Sequence, residues 1–246
     1  MSAGDFTNQA TAYRARPSYP PALINLLAAE AGLRPGDPVV DLGAGTGIFT
    51  RELVVRGFQV VALEPNERMR AQADLPAARW IDATFEQTQL ANESQRWAVA
   101  AQAFHWAEPT RALPELRRIL QPGCQITALW NVKAMEADPI LQWTGVVIDR
   151  HVPSFREHYE GKDWGAILES TGDFQFTKSH SVRHVVPMSR DRFLELWRSH
   201  HWLQHLAAPG AFDALIAELS DGLATRNIQA INVPYDGIAY SARRCD

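Results

Sequence analysis

Residues Val39-Val40-Asp41-Leu42-Gly43-Ala44-Gly45-Thr46-Gly47 join an apolar strand to a glycine loop, with an acid where the strand ends. The spacing is G-x-G-x-G, not the G-x-G-x-x-G of dinucleotide-binding turns. Glycines there allow a tight strand-to-helix turn and let the backbone approach a ligand without a Cβ in the way. Asp41 repels a pyrophosphate but can orient an ammonium group, while the amides opening the next helix suit a carboxylate. An amino-acid end with both groups therefore fits the loop, and S-adenosyl-L-methionine carries one. The alternative is a bare strand-helix turn whose glycines serve geometry only.

Further candidates sit at the ends of the following strands. Gln59 to Leu63 reads as a second strand ending in Glu64-Pro65-Asn66. An acid at that tip lies beside the glycine loop in a doubly wound sheet, and its two oxygens can accept from both hydroxyls of a ribose. Acids also favour such positions simply because a helix follows. Ala78 to Ile81 is a third strand, followed by Asp82-Ala83-Thr84-Phe85-Glu86, and Trp97 to Ala101 a fourth, followed by Gln102-Ala103-Phe104-His105-Trp106. Ligands of open parallel sheets bind at these carboxyl ends.

The elements that must position these residues alternate between strand and helix from about residue 37 to 131, the pattern of a parallel sheet covered on both faces. Pro20-Pro21 opens a preceding helix with Leu23, Leu26 and Leu27 on one face and Gly32 at its end. Arg190 to Leu206 reads as one helix with Phe193, Leu196, Trp197, His200 and Leu203 on a shared face, as part of a cap over the sheet. The 246 residues suffice for one domain: an N-terminal lid (1–36), a cofactor core (37–131), an accessory cap (132–227) with a late strand near 174–186, and a final strand and tail (228–246).

Composition narrows the classes of function. A formal net charge of -4 and no basic run along any helix disfavour a nucleic-acid partner. The N-terminus lacks a basic segment followed by an apolar one, and no apolar run reaches spanning length, so a cytoplasmic protein without a membrane partner is expected. Cys124 and Cys245 are too few for a disulfide framework and wrongly spaced for zinc. His201 and His205 stand four apart on a helical stretch, but no cysteine or carboxylate accompanies them at ligand spacing, and no metal is expected.

Four stretches together resemble the class I S-adenosylmethionine-dependent methyltransferases, in the small-molecule group that includes type 11 and trans-aconitate methyltransferase-like proteins. They are Tyr13-Arg14-Ala15-Arg16-Pro17-Ser18-Tyr19-Pro20, Val40 to Gly47, Ala101 to Trp106, and Gln125-Ile126-Thr127-Ala128-Leu129-Trp130-Asn131. The resemblance covers residues 6 to 131 and continues in outline to the end. It implies a doubly wound, mostly parallel seven-stranded sheet with an antiparallel last strand and helical caps. It also implies S-adenosyl-L-methionine as cofactor, a small-molecule acceptor, and a monomer or homodimer. Within it Gly43, Gly45 and Gly47 would line the methionine moiety and Glu64 the ribose, with Tyr13, Asp41, Ala44, Thr46, Pro65, Ala83 and Ala101 also at the cofactor. Met69 would cover one adenine face, and Thr84 and Phe85 would meet its edge. Where the family often has an acid this chain has Thr84, leaving Asp82, Glu86 or a backbone carbonyl for the adenine amine.

Transfer of a methyl group from a sulfonium is an in-line displacement, so placing a nucleophile is most of what the protein must supply. His105 is the candidate base if the acceptor carries a proton, with a role in packing its loop as the alternative. Tyr13 and Arg16 lie in a segment that would cover the cofactor, and Arg16 could bind a carboxylate on either reactant or merely pack on Tyr19. Trp106, Trp130 and His200 are candidate walls for the acceptor, with ordinary core packing as the alternative for both tryptophans. Methylation of oxygen is favoured, with nitrogen or carbon open. A non-catalytic binder of the same fold is the second reading, and a nicotinamide dehydrogenase is disfavoured by the loop spacing.

Overall fold

Strand β1 (Pro38–Leu42) is buried along nearly its whole length, and it sits where such a strand must, in the centre of a sheet. The computed structural model describes residues 15–158 and 162–246. Around β1 are β2 (Gln59–Leu63), β3 (Arg79–Ile81), β4 (Gln95–Ala101), β5 (Leu120–Lys133), β6 (Phe174–Ser189) and β7 (Ala230–Arg244). The strand order is β3-β2-β1-β4-β5-β7-β6. The pairings from β3 through β5 are parallel, and β7 runs antiparallel to both β5 and β6. This is the expected mostly parallel seven-stranded sheet with its antiparallel last strand. The order reverses between β1 and β4, which opens a crevice at their carboxyl ends.

Helices cover both faces. On one, α1 (Pro21–Glu30) and α2 (Ile48–Val55) bury Leu23, Ile24, Leu27, Phe49 and Leu53 against Val39, Val60 and Val99. Leu26, expected on the buried face of α1, is instead partly exposed, and Ile24 takes its place because α1 rolls that side onto the sheet. On the other face α4 (Pro109–Ile119) buries Ala112, Leu113, Leu116 and Ile119, joined by Leu168 from α6 (Trp164–Glu169). A short helix α3 (Glu67–Arg70) follows β2. Across the middle strands a buried chain of hydrogen bonds runs from Trp97 Nε1 to Thr127 Oγ1 (3.0 Å) and on to Ser241 Oγ (2.9 Å), so these three side chains of β4, β5 and β7 satisfy one another.

The cap is a second apolar cluster built from α5 (Pro139–His151), α7 (Arg190–Arg198), α8 (His201–Leu206) and α9 (Ala211–Thr225). Asp138 caps α5, accepting from the amides of Ile140 and Leu141 (2.8 and 3.2 Å), and Ser189 caps α7 (3.2 Å to Arg192 N). The single helix expected over 190–206 is broken at Ser199 and His200. The reason is a competing bond: the Ser199 carbonyl accepts from the Arg16 guanidinium (3.1 Å) and its hydroxyl donates back to Leu196 O (2.7 Å). His200 is left in an extended conformation as the residue before α8.

Candidate functional site

A cavity of about 650 Å³ lies at the carboxyl ends of β1, β4 and β5, between the glycine loop and the cap. Asp41, Gly43, Ala44, Gly45, Thr46, Ala101, Trp130, Arg16 and His200 all line it, so nine of the residues singled out in the sequence meet in one space. Gln102, Lys133, Trp197 and Tyr235 line it as well.

At the loop end, Asp41 is almost fully buried. One of its oxygens accepts from Thr50 Oγ1 at 2.6 Å, whereas the other, Oδ1, has no hydrogen-bond partner among the described residues. Burial pushes its carboxyl up to about 7, with the nearby Glu64 charge adding to the effect and the Thr50 hydroxyl opposing it. An orphaned carboxylate oxygen facing a cavity is complementary to a cation. The loop itself is tightly held: Ala44 N donates to Leu63 O (2.9 Å), Gly47 N to Ala44 O (2.9 Å) and Gly45 N to a Glu64 carboxylate oxygen (2.8 Å). Gly43 has φ +68°, and a Cβ there would stand 2.7 Å from Ala103 Cβ.

Glu64 sits behind the loop and outside the cavity lining. Its oxygens accept from Gly45 N and Asn66 N (2.9 Å), and each keeps further acceptor capacity. Burial raises its pKa, against the lowering by those two amides and Arg70. Met69 is buried, its Cε 3.4 Å from where a Gly45 Cβ would be. Pro65 and Thr84 are exposed, while Ala83 and Phe85 belong to the core. Gly47, Pro65, Met69, Ala83, Thr84 and Phe85 are likewise absent from the lining. For Phe85 the cause is an edge-to-face contact with Phe104 at 6.0 Å, which seats its ring over Gly43. Glu86 accepts from Glu108 N (2.9 Å), and Asp82 pairs with Arg70 (3.2 Å) on the surface.

Residues 15–20 cross the cavity as a strap. Besides its bond to the Ser199 carbonyl, Arg16 Nε donates to Ser199 Oγ (3.2 Å), Arg192 Nε donates to Ala15 O (3.0 Å), and Asn131 Nδ2 donates to Ser18 O (3.1 Å). Arg16 is thus neither a surface arginine nor one packed only on Tyr19. Tyr13 lies outside the described residues.

The tip of β4 holds Gln102 at φ +56°, a conformation non-glycine residues rarely take. Its side chain anchors it, donating to Asn131 O at 2.9 Å. Three residues on, His105 faces Trp106 with ring centroids 4.8 Å apart, and neither lines the cavity. Trp106 stacks flat on Trp202 of α8 (5.7 Å, 5°), which holds it against the cap instead of in the pocket wall. His105 is pushed down to about 4 by burial and by the charges of Lys162 and Arg16. A neutral imidazole at pH 7 is the consequence, and a titration near the ordinary histidine value is not what the structure supports. Trp130 does form a wall, backed by Trp164 at 4.3 Å. The His201 and His205 rings stack 6.1 Å apart, and no group of three possible metal ligands occurs among the described residues.

Sequence reasoning missed Lys133, Tyr235 and Trp197 as site residues. Lys133 and Tyr235 are cross-strand partners of β5 and β7, and Lys133 Nζ lies 4.4 Å from the Trp197 ring centroid. Only the final-strand pairing brings them together, and no spacing within the chain records it.

With this geometry, comparison with known proteins is informative. Residues 40–128 match the family model described as a methyltransferase domain. That stretch of the chain, from β1 through most of β5, is similar to methyltransferase domains. An uncharacterized methyltransferase of Mycobacterium tuberculosis is 41% identical over 142 residues, which is 56% of this chain and 55% of that protein. The chain thus spans about half the length of these curated relatives. A solved structure described as a type II methyltransferase from Anaeromyxobacter dehalogenans superposes with TM-score 0.64 at 24% identity, over 93% of this chain and 97% of that one. Haemonchus contortus phosphoethanolamine N-methyltransferase 2, solved in complex with S-adenosyl-L-methionine, gives 0.51 at 14% identity over 91% of this chain and 52% of that one. These two likenesses carry the fold. No helix among the described residues is long and apolar enough to cross a membrane.

Proposed function

We propose that the protein uses S-adenosyl-L-methionine to methylate a small organic acceptor held between the glycine loop and the cap, with oxygen favoured as the accepting atom. The observation that carries this reading is Asp41 Oδ1, a buried acceptor without a partner in a cavity floored by the glycine loop. The similarity to methyltransferase domains and the cofactor bound by the Haemonchus enzyme support the same choice. When bound, the cofactor supplies an electrophilic methyl group on a sulfonium. Asp41 would take its ammonium end, and Glu64, fixed by two amides, would accept from its ribose hydroxyls. Gly45 leaves the loop backbone accessible from the cavity. The strap and the cap keep water from the acceptor and hold it in line. The deciding experiment is turnover of S-adenosylmethionine against a panel of small acids, phenols and amines, read as S-adenosylhomocysteine released. Tight cofactor binding without turnover on any acceptor would favour a non-catalytic binder.

For Glu64→Gln, which keeps the shape and loses the charge, cofactor affinity is expected to fall by about 1.5–3 kcal/mol, the range for a hydrogen bond to a charged group. Calorimetry with the parent cofactor and its 2′- and 3′-deoxy analogues checks it, since equal affinity for all three in the wild type would remove the ribose role.

A base role for His105 is not needed with its imidazole packed on Trp106 outside the cavity. The expected rate of His105→Asn is within about tenfold of wild type, below the 10²–10⁴ typical of a lost general base. With the imidazole already neutral above pH 5, no histidine inflection is expected between pH 6 and 7 in either protein. A larger loss, with a wild-type rate at saturating cofactor rising through pH 6.5, would restore the base.

A further inference from the structure

We infer that the cap end of this cavity is a carboxylate site, so that the acceptor is a monoanionic organic acid with an apolar body, its carboxylate seated on Lys133 Nζ and the Tyr235 hydroxyl. The inference rests on the cavity being the acceptor site of the reading above. Among the described residues the Lys133 ammonium has neither a hydrogen bond nor an ion pair, and it lies over the face of Trp197. The Tyr235 hydroxyl is buried and has no hydrogen-bond partner among the described residues either. The antiparallel register sets the two side by side. Two unmatched donors, one of them cationic, facing a space walled by Leu141, Ile148, Leu196 and Trp130 are complementary to a single anion on an apolar ligand.

The surrounding charges agree. Arg16 and His200 line the same end. His200 is held neutral by burial and by the charges of Lys133 and Arg16, so it adds no charge to theirs, and the Arg16 guanidinium already donates to the Ser199 hydroxyl and carbonyl. Opposite them, Glu136 is exposed and Asp149 half-buried on α5, and Asp41 lies at the loop end. Burial, then the Arg16 charge, holds Lys133 down to about 7, while burial pushes Tyr235 up and keeps its hydroxyl a donor. With Arg16 engaged by Ser199, the Lys133 ammonium and the Tyr235 hydroxyl match a carboxylate better than a phosphate monoester, whose charge approaches two at neutral pH.

The test is calorimetric binding of phenylacetate, phenylacetamide and phenyl phosphate to the full chain, with S-adenosylhomocysteine titrated into the same samples. Phenylacetate is expected to bind about tenfold or more tighter than the amide, as for a charge-assisted hydrogen bond. Lys133→Met should bring the two within about twofold, Lys133→Arg should keep the preference, and Tyr235→Phe should reduce it several-fold. At pH 8, where Lys133 is mostly neutral, phenylacetate should draw in a proton that Lys133→Met does not, because the anion raises the lysine pKa. Asp41 would also take up a proton if the anion sat at the loop end, and that uptake would persist in Lys133→Met. Equal binding of acid and amide to wild type, a preference for phenyl phosphate, or a preference unchanged in both Lys133→Met and Tyr235→Phe would overturn the carboxylate site. Lack of S-adenosylhomocysteine binding would instead defeat the cofactor assignment and leave the phenylacetate result standing on its own.

Discussion

Asp41→Asn is expected to weaken S-adenosylmethionine binding by about 2–4 kcal/mol at pH 8, the scale for losing one partner of a buried charged pair, while making the ligand-free protein more stable. Both effects come from one buried carboxylate with a single hydrogen bond, to Thr50, and a bare second oxygen. Asparagine keeps the shape and an oxygen for the Thr50 hydroxyl but cannot supply charge to an ammonium. The pH dependence follows from a pKa raised from 3.8 to about 7. A raised folded-state value means that the contribution to stability is complete below about pH 4 and is lost as the pH rises through 7. Wild-type protein should therefore melt lower at pH 8 than at pH 5 by a margin that shrinks in Asp41→Asn. Cofactor affinity runs the other way. Below pH 7 the carboxyl must give up its proton to receive the ammonium, so wild-type affinity should fall by up to about tenfold per pH unit, with a proton released on binding. Titrations at pH 6 and 8 in two buffers of different ionisation enthalpy, beside melts at pH 5 and 8, read all of this. Unchanged affinity in Asp41→Asn would sink the assignment of the loop.

The parts of this arrangement that were legible in the sequence are those fixed by local chemistry. The strand ending in Asp41, the glycines, the acid after β2 and the β4 tip occupy neighbouring positions because a right-handed parallel sheet brings successive strand ends together. The cap was legible only as an apolar face. His200 lines the cavity, yet its helix is broken by a bond from Arg16 to the neighbouring Ser199, 183 residues away in sequence, and no local period could anticipate that. Trp106 and Trp130 looked alike at two strand tips. They differ because α8 offers Trp106 a stacking partner outside the cavity, while Trp164 backs Trp130 from behind. Lys133 reads as the polar end of an apolar strand, and Tyr235 as one alternating residue in the last one. Their meeting depends on the antiparallel pairing of β5 with β7.

Gly43→Ala is expected to cost about 2–4 kcal/mol of stability, more than the same change at Gly45. Both glycines have positive φ, +68° and +58°, so each substitution carries a backbone penalty of about 1–2 kcal/mol. They differ in what the new methyl group meets. At Gly45 the nearest atom is the flexible end of Met69 at 3.4 Å, an ordinary contact. At Gly43 the methyl would stand 2.7 Å from Ala103 Cβ and 3.3 Å from the Phe85 ring, and Phe85 is itself held by Phe104. Ala103 cannot turn aside, because its Cβ moves only with the backbone and the preceding Gln102 is tied to β5 by its amide and side chain. Overpacking of this kind typically adds about 1–3 kcal/mol. Chemical denaturation of Gly43→Ala, Gly45→Ala, Ala103→Gly and the Gly43→Ala/Ala103→Gly double variant separates the terms. Removing the Ala103 methyl should return the steric part and leave the dihedral part, so the double variant should be more stable than the sum of the single changes predicts. Strict additivity, or equal stability of the two single glycine variants, would mean that the loop has room at Gly43 and that the contact with Ala103 does not set its shape.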